Sequence, residues 1–146
     1  MKIVVDTNII FSAILSPEGT ISDLLLNSFE TFDFYAPTFV LDELKTHQNK
    51  ILQISGLSED DLDFLKRILL KKVTLINVEA FQNKSWQKAL ELTSNVDEFD
   101  TPFIALCIEL EAQLWTGDKK LIKGLGLKGI DWLFDTAKMK EIRNKA

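Results

Sequence analysis

Short apolar runs alternate with longer helical segments along almost the whole chain. The runs predicted to be strands cover residues 2–5, 32–36, 73–78, 113–116 and 130–134. Strands that are separated by helices of this length do not pair as hairpins, but form a mostly parallel sheet with helices on both faces. The sequence therefore predicts an α/β fold, a three-layer α/β/α sandwich around a central, mostly parallel sheet.

The segments between these runs carry residues typical of helix starts and stops. Thr7 and Asn8 can cap a helix over residues 9–15, which Pro17 and Gly19 end. Further helices are predicted from residue 20 or 22 to 29, from Thr38 through Glu43, and over 58–72, 79–93 and 100–112. Because no linker, repeat or low-complexity segment interrupts this order, residues 1–146 are predicted to form a single domain.

Composition narrows the class of protein. Hydrophobic residues make up 46% and charged residues 27% of the chain, as in ordinary soluble domains, and no apolar run reaches the length of a membrane span. The start of the chain reaches Asp6 too early for a signal peptide, and the one cysteine, Cys107, leaves no disulfide framework or Cys-rich zinc site. We expect a cytoplasmic protein with no membrane partner.

Acidic residues recur where predicted elements begin or end. Asp6 closes the first strand, Glu43 lies in a helix, Asp97 and Asp100 open another helix, and Asp118 follows the fourth strand. Two carboxylates about 4 Å apart repel by roughly 4 kcal/mol at an effective dielectric constant near 20, so a fold gathers them only around positive charge. Mg²⁺ and Mn²⁺ take oxygen ligands and share them with substrate phosphates. The pattern predicts one metal site and a phosphate ester as substrate.

The predicted sheet gives these acids a common edge. Ligands of open α/β sheets bind beyond the carboxyl ends of the strands, where Asp6 and Asp118 emerge. Glu43 and Asp100 would reach the same edge from helices.

Four segments together resemble the PIN domain family. They are Val5-Asp6-Thr7-Asn8, Leu41-Asp42-Glu43-Leu44, Asp100-Thr101-Pro102-Phe103-Ile104-Ala105-Leu106 and Trp115-Thr116-Gly117-Asp118-Lys119. Each motif is weak alone, but their order and spacing span nearly the whole chain. The resemblance implies a three-layer α/β/α fold with an acidic pocket for Mg²⁺ or Mn²⁺.

The resemblance also implies a function. It points to a metal-dependent ribonuclease that hydrolyses RNA phosphodiester bonds with a metal-activated water, and to the toxin of a toxin–antitoxin pair, with an antitoxin partner and a homodimer expected. The residues that match the acidic and supporting positions of the family are Asp6, Glu43, Asp100 and Asp118, with Thr7, Asn8 and Thr116. Asp97 lies about one helical turn before Asp100 and is its rival as a ligand, and we favour Asp100.

Other interpretations of the whole chain remain. A noncatalytic PIN-like module would bind RNA or protein without cutting it, and the formal charge of −5 has the wrong sign for binding nucleic acid by bulk electrostatics. A receiver-type phosphoacceptor domain fits poorly, because the strand over 73–78 is followed by Glu79 and offers no aspartate.

Individual residues also have structural explanations. Asp6 and Asp118 can be helix caps with no role in metal binding. Glu43 can be a solvated acid, with the neighbouring Asp42 as an equally acidic alternative. The acids at 97–100 can complement a helix dipole. His47, one turn after Glu43, can add a ligand or a phosphate contact but is expected to be a surface residue. Cys107 and Trp115 are predicted to lie in the core. Phe81 and Trp86 can stack on bases but are expected to pack instead.

Overall fold

Five parallel strands form the centre of the structure, a computed structural model that describes residues 1–146. They are β1 (Lys2–Val5), β2 (Asp33–Pro37), β3 (Val73–Ile76), β4 (Gln113–Trp115) and β5 (Leu133–Phe134). The strand order is β3-β2-β1-β4-β5, and each neighbouring pair is parallel. The predicted α/β fold is confirmed, and the sheet is wholly rather than mostly parallel.

Helices connect the strands and flank the sheet. They are α1 (Thr7–Leu15), α2 (Thr20–Asn27), α3 (Phe39–Thr46), α4 (Gln48–Ser55), α5 (Glu59–Leu70), α6 (Asn83–Thr93), α7 (Thr101–Leu110), α8 (Lys119–Gly126) and α9 (Thr136–Lys145). Two single 3₁₀ turns, Val78–Ala80 and Glu98–Asp100, precede α6 and α7. No single helix is long and apolar enough to cross a membrane; α1 and α2 reach the required length only together, and they are bent by 112°.

The order of the strands creates a switch point between β1 and β4. From β1 the sheet grows through β2 and β3 on one side, and through β4 and β5 on the other. Val5 pairs with Trp115, and the backbone N–H of Asp6 donates to the carbonyl of Trp115 over 3.0 Å. The chain segments that leave these two strands therefore begin side by side at the carboxyl edge of the sheet, where α/β proteins bind ligands.

The two strands that end at this edge are buried in the core. Ile3, Val4 and Val5 are wholly buried, as expected for a central parallel strand covered on both faces. Trp115 is also wholly buried, its indole N–H donating to the Thr136 hydroxyl over 3.1 Å, and Cys107 is buried in α7. The predicted core positions of Trp115 and Cys107 are confirmed.

Several predicted boundaries are wrong for identifiable reasons. The first helix starts at Thr7 and is capped by the Asp6 side chain, not by Thr7 and Asn8. Strand β3 stops before Asn77, whose side chain accepts from the N–H of Glu79, and the chain is extended at Phe81, so the helix predicted over 79–93 begins four residues later. The last strand contains only its final two predicted residues. Helices α8 and α9 were not predicted at all.

Candidate active site

Asp6 lies at the centre of a polar network at the end of β1. Its Oδ1 accepts from the backbone N–H of Thr7 over 2.8 Å, and its Oδ2 accepts from the Thr116 hydroxyl over 2.7 Å. The side chain is only 5% exposed. Burial raises the pKa of Asp6 to about 6, with smaller increases from the charges of Glu43 and Asp118, although the two hydrogen bonds act in the opposite direction.

Asn8 ties α1 to the segment that follows β4. Its Oδ1 accepts from the N–H of Gly117 over 3.1 Å, while its Nδ2 lies 3.4 Å from both Asp6 Oδ2 and the Thr116 hydroxyl. The same hydroxyl accepts from the N–H of Asp118 over 3.0 Å. Asn8 and Thr116 therefore hold the two aspartates in a fixed relation.

Glu43 reaches the same place from α3. The Thr7 hydroxyl donates to Glu43 Oε1 over 2.6 Å, which joins α3 to the start of α1. Partial burial raises the pKa of Glu43, opposed by this hydrogen bond and by the nearby charge of His47. Asp42, the rival acid, is exposed, although it also borders the cleft described below.

Among these carboxylates, Asp100 has the least favourable environment for its ionised form. It is 9% exposed, and its Oδ2 is buried without a hydrogen-bond partner. Burial raises the pKa of Asp100 to about 8, and the charges of Asp6, Asp97, Asp118 and Glu43 add to this increase. A buried polar atom that lacks a partner calls for a ligand that can satisfy it.

The side chains of Asp97 and Asp118 also accept hydrogen bonds from the backbone. Asp97 is exposed, and its Oδ1 accepts from the N–H of Phe99 over 2.9 Å. Asp118 caps α8 by accepting from the N–H of Leu121 over 3.1 Å. The charge of each nevertheless reaches Asp100. The prediction that Asp118 can cap a helix is therefore confirmed.

These side chains border a cleft of about 530 Å³, which we call the acidic cleft. The polar residues that line it are Asp6, Thr7, Asn8, Asp42, Glu43, Thr46, His47, Asp97 and Asp100, and the apolar ones are Phe11, Phe39 and Phe99. The structure therefore brings four of the five predicted acids to one cleft. Asp118 does not line the cleft, but its N–H donates to the Thr116 hydroxyl, which in turn donates to Asp6.

None of the acids of this cleft forms a salt bridge, and His47 is the one basic side chain in its lining. The salt bridges of the structure join Lys66 to Asp63, Arg143 to Asp23, and Lys138 and Lys145 to Glu141, all away from the cleft. His47 is exposed, as predicted, and its ring meets that of Phe11 edge to face, with centroids 5.7 Å apart. The negative charge of the cleft is left for a ligand to balance.

The donor set fits a hard divalent cation that keeps part of its water shell. No three of the His, Cys, Asp or Glu side chains stand close enough to hold one ion by themselves. Mg²⁺ does not need such a cage, because it usually binds through one or two carboxylates, several waters and substrate phosphates. The unpartnered Asp100 oxygen and the uncompensated charge agree with that mode of binding.

The aromatic residues of the site differ from those considered in the sequence. Phe81 is buried and Trp86 half-buried, with ring centroids 5.8 Å apart, so both pack as expected. Phe99, which the sequence did not single out, is instead exposed at the cleft. The sequence offered no signal for this exposure, because Val96, Phe99 and Phe103 have the spacing of one buried helix face.

The sequence profile of the PIN domain family matches residues 4–141, and the chain belongs to this family. PIN domains are typically nucleases and generally use divalent metals. The acidic cleft lies within the matched residues.

A solved structure shares the fold. The chain is similar to a chain in the crystal structure of VapBC2 from Rickettsia felis bound to a DNA fragment from their promoter, with a TM-score of 0.67. The match covers 92% of this chain and 97% of the other at 19% sequence identity, which shows the fold alone. No curated protein sequence is significantly similar to this chain.

Proposed function

We propose that this protein is a metal-dependent endoribonuclease that hydrolyses RNA phosphodiester bonds. The observation that carries the proposal is the buried, unpartnered Oδ2 of Asp100 in a cleft whose acids form no salt bridge. A protein that keeps such a cleft binds something positive there, and the membership of the PIN family supports a nuclease.

Mg²⁺ or Mn²⁺ would bind directly to one or two carboxylates of the set Asp6, Glu43, Asp100 and Asp118, and the remaining acids would act through bound water. Asp100 is favoured over Asp97, because Asp97 already accepts a backbone hydrogen bond and is exposed, whereas Asp100 is buried with a free oxygen. Thr7, Asn8 and Thr116 support the site by orienting Glu43, Asp6 and Asp118. Each of these three residues therefore makes a hydrogen bond whose contribution a substitution can test.

The chemistry follows from the donor set. With Mg²⁺ or Mn²⁺ held by these carboxylates, the site would have the positive charge needed to lower the pKa of a water molecule and to stabilise negative charge on the phosphate. The only cysteine is buried and its thiol pKa is raised, so the chain offers no thiolate nucleophile, which agrees with water as the attacking group. An ionised carboxylate of the cleft accepts the proton that the water loses.

The biological setting of this activity is that of a toxin held in check by an antitoxin. The supporting observation is the shared fold with a chain of VapBC2. A small antitoxin protein would be the physiological partner. The homodimer expected from the family resemblance stays a prediction, which sedimentation of the purified chain would test.

The test is cleavage of a mixed pool of structured RNA with Mn²⁺ or Mg²⁺, with and without EDTA. Asp6→Asn and Asp100→Asn should abolish cleavage while leaving the circular dichroism spectrum unchanged. Asn can still cap α1 and accept from Thr7, so Asp6→Asn removes charge with little loss of structure. Asp60→Asn, at an exposed position in α5, is the matched control and should cleave like the wild type.

Each outcome decides between activities. Metal-dependent cleavage that both cleft variants lose and Asp60→Asn keeps would establish the nuclease. RNA that is bound but stays intact with every metal would instead identify a noncatalytic PIN module.

A further inference from the structure

A phenylalanine stands almost free in solvent at the edge of the acidic cleft. Phe99 is 69% exposed, although it is flanked by Glu98 and Asp100 and follows Asp97 by only two residues. Exposing a large apolar ring is unfavourable, and placing it among carboxylates does not protect it from water. The exposure of this ring is explained if a flat, uncharged group of a ligand packs against it.

The other two aromatic side chains of the cleft are already engaged. Phe39 packs edge to face against Phe103, with centroids 6.3 Å apart, and Phe11 meets His47. Both are half-buried against the core. Phe99 has no aromatic partner, so the faces of its ring are available to a ligand in the cleft.

The backbone holds this ring in place. Phe99 is the middle residue of the 3₁₀ turn Glu98–Asp100, and its N–H donates to Asp97 Oδ1 over 2.9 Å. Asp100 closes the same turn through a 3.2 Å bond from its N–H to the carbonyl of Asp97. The turn therefore fixes the base of the Phe99 side chain relative to the carboxylate that is proposed to hold the metal.

Electrostatics explains why such a ring is useful here. The chain carries a formal charge of −5, and the cleft itself is acidic, so phosphates are repelled except where a cation is bound. Stacking of a base on an aromatic ring does not depend on charge, and every base presents a π-face. A stacking residue beside the metal site therefore supplies affinity for RNA that the overall charge of the protein does not provide.

We propose that Phe99 is a substrate-positioning residue that stacks on an unpaired nucleobase next to the cleaved phosphodiester. The inference rests on the proposed ribonuclease function and adds a residue that positions its substrate. In a duplex the bases are stacked on one another and shielded, whereas an unpaired base can turn onto the ring.

Binding is measured separately from cleavage, with Ca²⁺ replacing Mg²⁺ or Mn²⁺. The probe is a single-stranded RNA decamer in which the fluorescent base 2-aminopurine occupies each position in turn, and stacking on the ring quenches its fluorescence. Wild-type protein should quench the probe at one or two positions. The same RNA annealed to its complement should bind more weakly and show no quenching.

Variants of Phe99 separate stacking from a purely structural role. Phe99→Ala should weaken binding of the single strand roughly 5- to 150-fold, the loss of one stacked base, and abolish the quenching. Phe99→Tyr and Phe99→Trp should retain both. Phe29→Ala is the matched control, because Phe29 is 71% exposed but lies outside the cleft, and it should bind like the wild type.

Kinetics with Mg²⁺ add a second readout. Phe99→Ala should raise KM on the single strand by a similar factor and change kcat less than threefold. The proposal is overturned if Phe99→Ala binds the single strand within twofold of the wild type, if it loses as much affinity for the duplex, or if Phe29→Ala loses as much affinity. The exposed ring would then be a protein contact.

The two proposals fail in different ways. Protein that quenches the probe through Phe99 but never cleaves RNA supports stacking and overturns the nuclease. Protein that cleaves RNA with no dependence on Phe99 supports the nuclease and overturns stacking.

Discussion

The Thr116 hydroxyl donates a 2.7 Å hydrogen bond to Oδ2 of Asp6 and accepts another from the N–H of Asp118. One hydroxyl thus joins residues that follow β1 and β4, which are neighbours in the sheet only because the strand order switches there. The bond lowers the pKa of Asp6, opposing the effect of burial. Thr116 therefore favours the ionised carboxylate that a cation needs.

Thr116→Val should weaken binding of Mn²⁺ on the order of tenfold at pH 6.5, because a hydrogen bond to a charged group contributes about 1.5–3 kcal/mol. Loss of the donor raises the pKa of Asp6 further, so the defect should shrink as the pH approaches 8.5. Isothermal titration at the two pH values measures this. Thr116→Ser keeps the donor and should bind like the wild type; equal weakening in both variants would contradict the role of the hydroxyl.

The metal-free protein should lose stability as the pH rises from 5 to 8. The pKa of Asp100 is about 8 and that of Asp6 about 6 in the folded chain, against about 3.9 for an unfolded aspartate. The folded state therefore binds these protons more tightly, so their contribution to stability is complete below about pH 4 and is lost as the pH passes through the folded pKa values. Asp23 and Glu141 have lowered pKa values and act in the acidic range only. Thermal unfolding in EDTA should show Tm falling across this window.

Asp100→Asn is the control for this effect. The amide cannot ionise, so Tm of the variant should depend less on pH and should exceed that of the metal-free wild type at pH 8. Added Mn²⁺ should raise Tm of the wild type more than that of the variant. A variant that loses stability as steeply as the wild type would assign the pH dependence to other groups.

The sequence predicted the parts of the fold that local patterns determine. Apolar runs closed by Asp6 or followed by Asp118 are strands in a parallel sheet, and the acids at their ends do face one edge. It did not predict α9, in which Met139 is the only buried residue, so that no apolar face marks a helix. It missed α8 because Gly124 and Gly126 are typical of a loop, although Leu121 and Leu125 are buried one turn apart.

The site was predictable in its residue types but not in its distances. Motif order placed Asp6, Glu43 and Asp100 in one pocket, and the structure brings them to one cleft. Nothing in the sequence showed that Thr7 bonds to Glu43, or that Asp100 rather than Asp97 is buried, because both depend on how α3 and the turn at Glu98–Asp100 pack. The exposure of Phe99 likewise follows from tertiary structure alone.

Gly124 should be needed for the position of the loop that carries Asp97. A Cβ at Gly124 would lie 3.1 Å from Cγ2 of Val96, which is tighter than ordinary van der Waals contact, so a larger side chain would displace this loop. Gly124→Leu should destabilise the fold by about 1–3 kcal/mol through overpacking and should reduce the Mn²⁺-induced rise in Tm. A Cβ at Gly126 meets nothing within 4 Å, so Gly126→Leu in the same helix should do neither. Equal effects in the two variants would show that helix composition, not contact with Val96, matters.

Asp118 and Asp135 provide a matched test of whether a helix-capping aspartate also serves the site. Asp118 caps α8 through a 3.1 Å bond from Leu121, and Asp135 caps α9 through a 2.8 Å bond from Lys138. Asn caps a helix about as well as Asp, so Asp118→Asn and Asp135→Asn should each change the free energy of unfolding by only a few tenths of a kcal/mol, whereas Ala at either position should cost about 1 kcal/mol. Only Asp118→Asn should weaken Mn²⁺ binding and slow RNA cleavage, because only its charge reaches Asp6 and Asp100. Normal metal binding and cleavage by Asp118→Asn would leave Asp118 with its capping role alone.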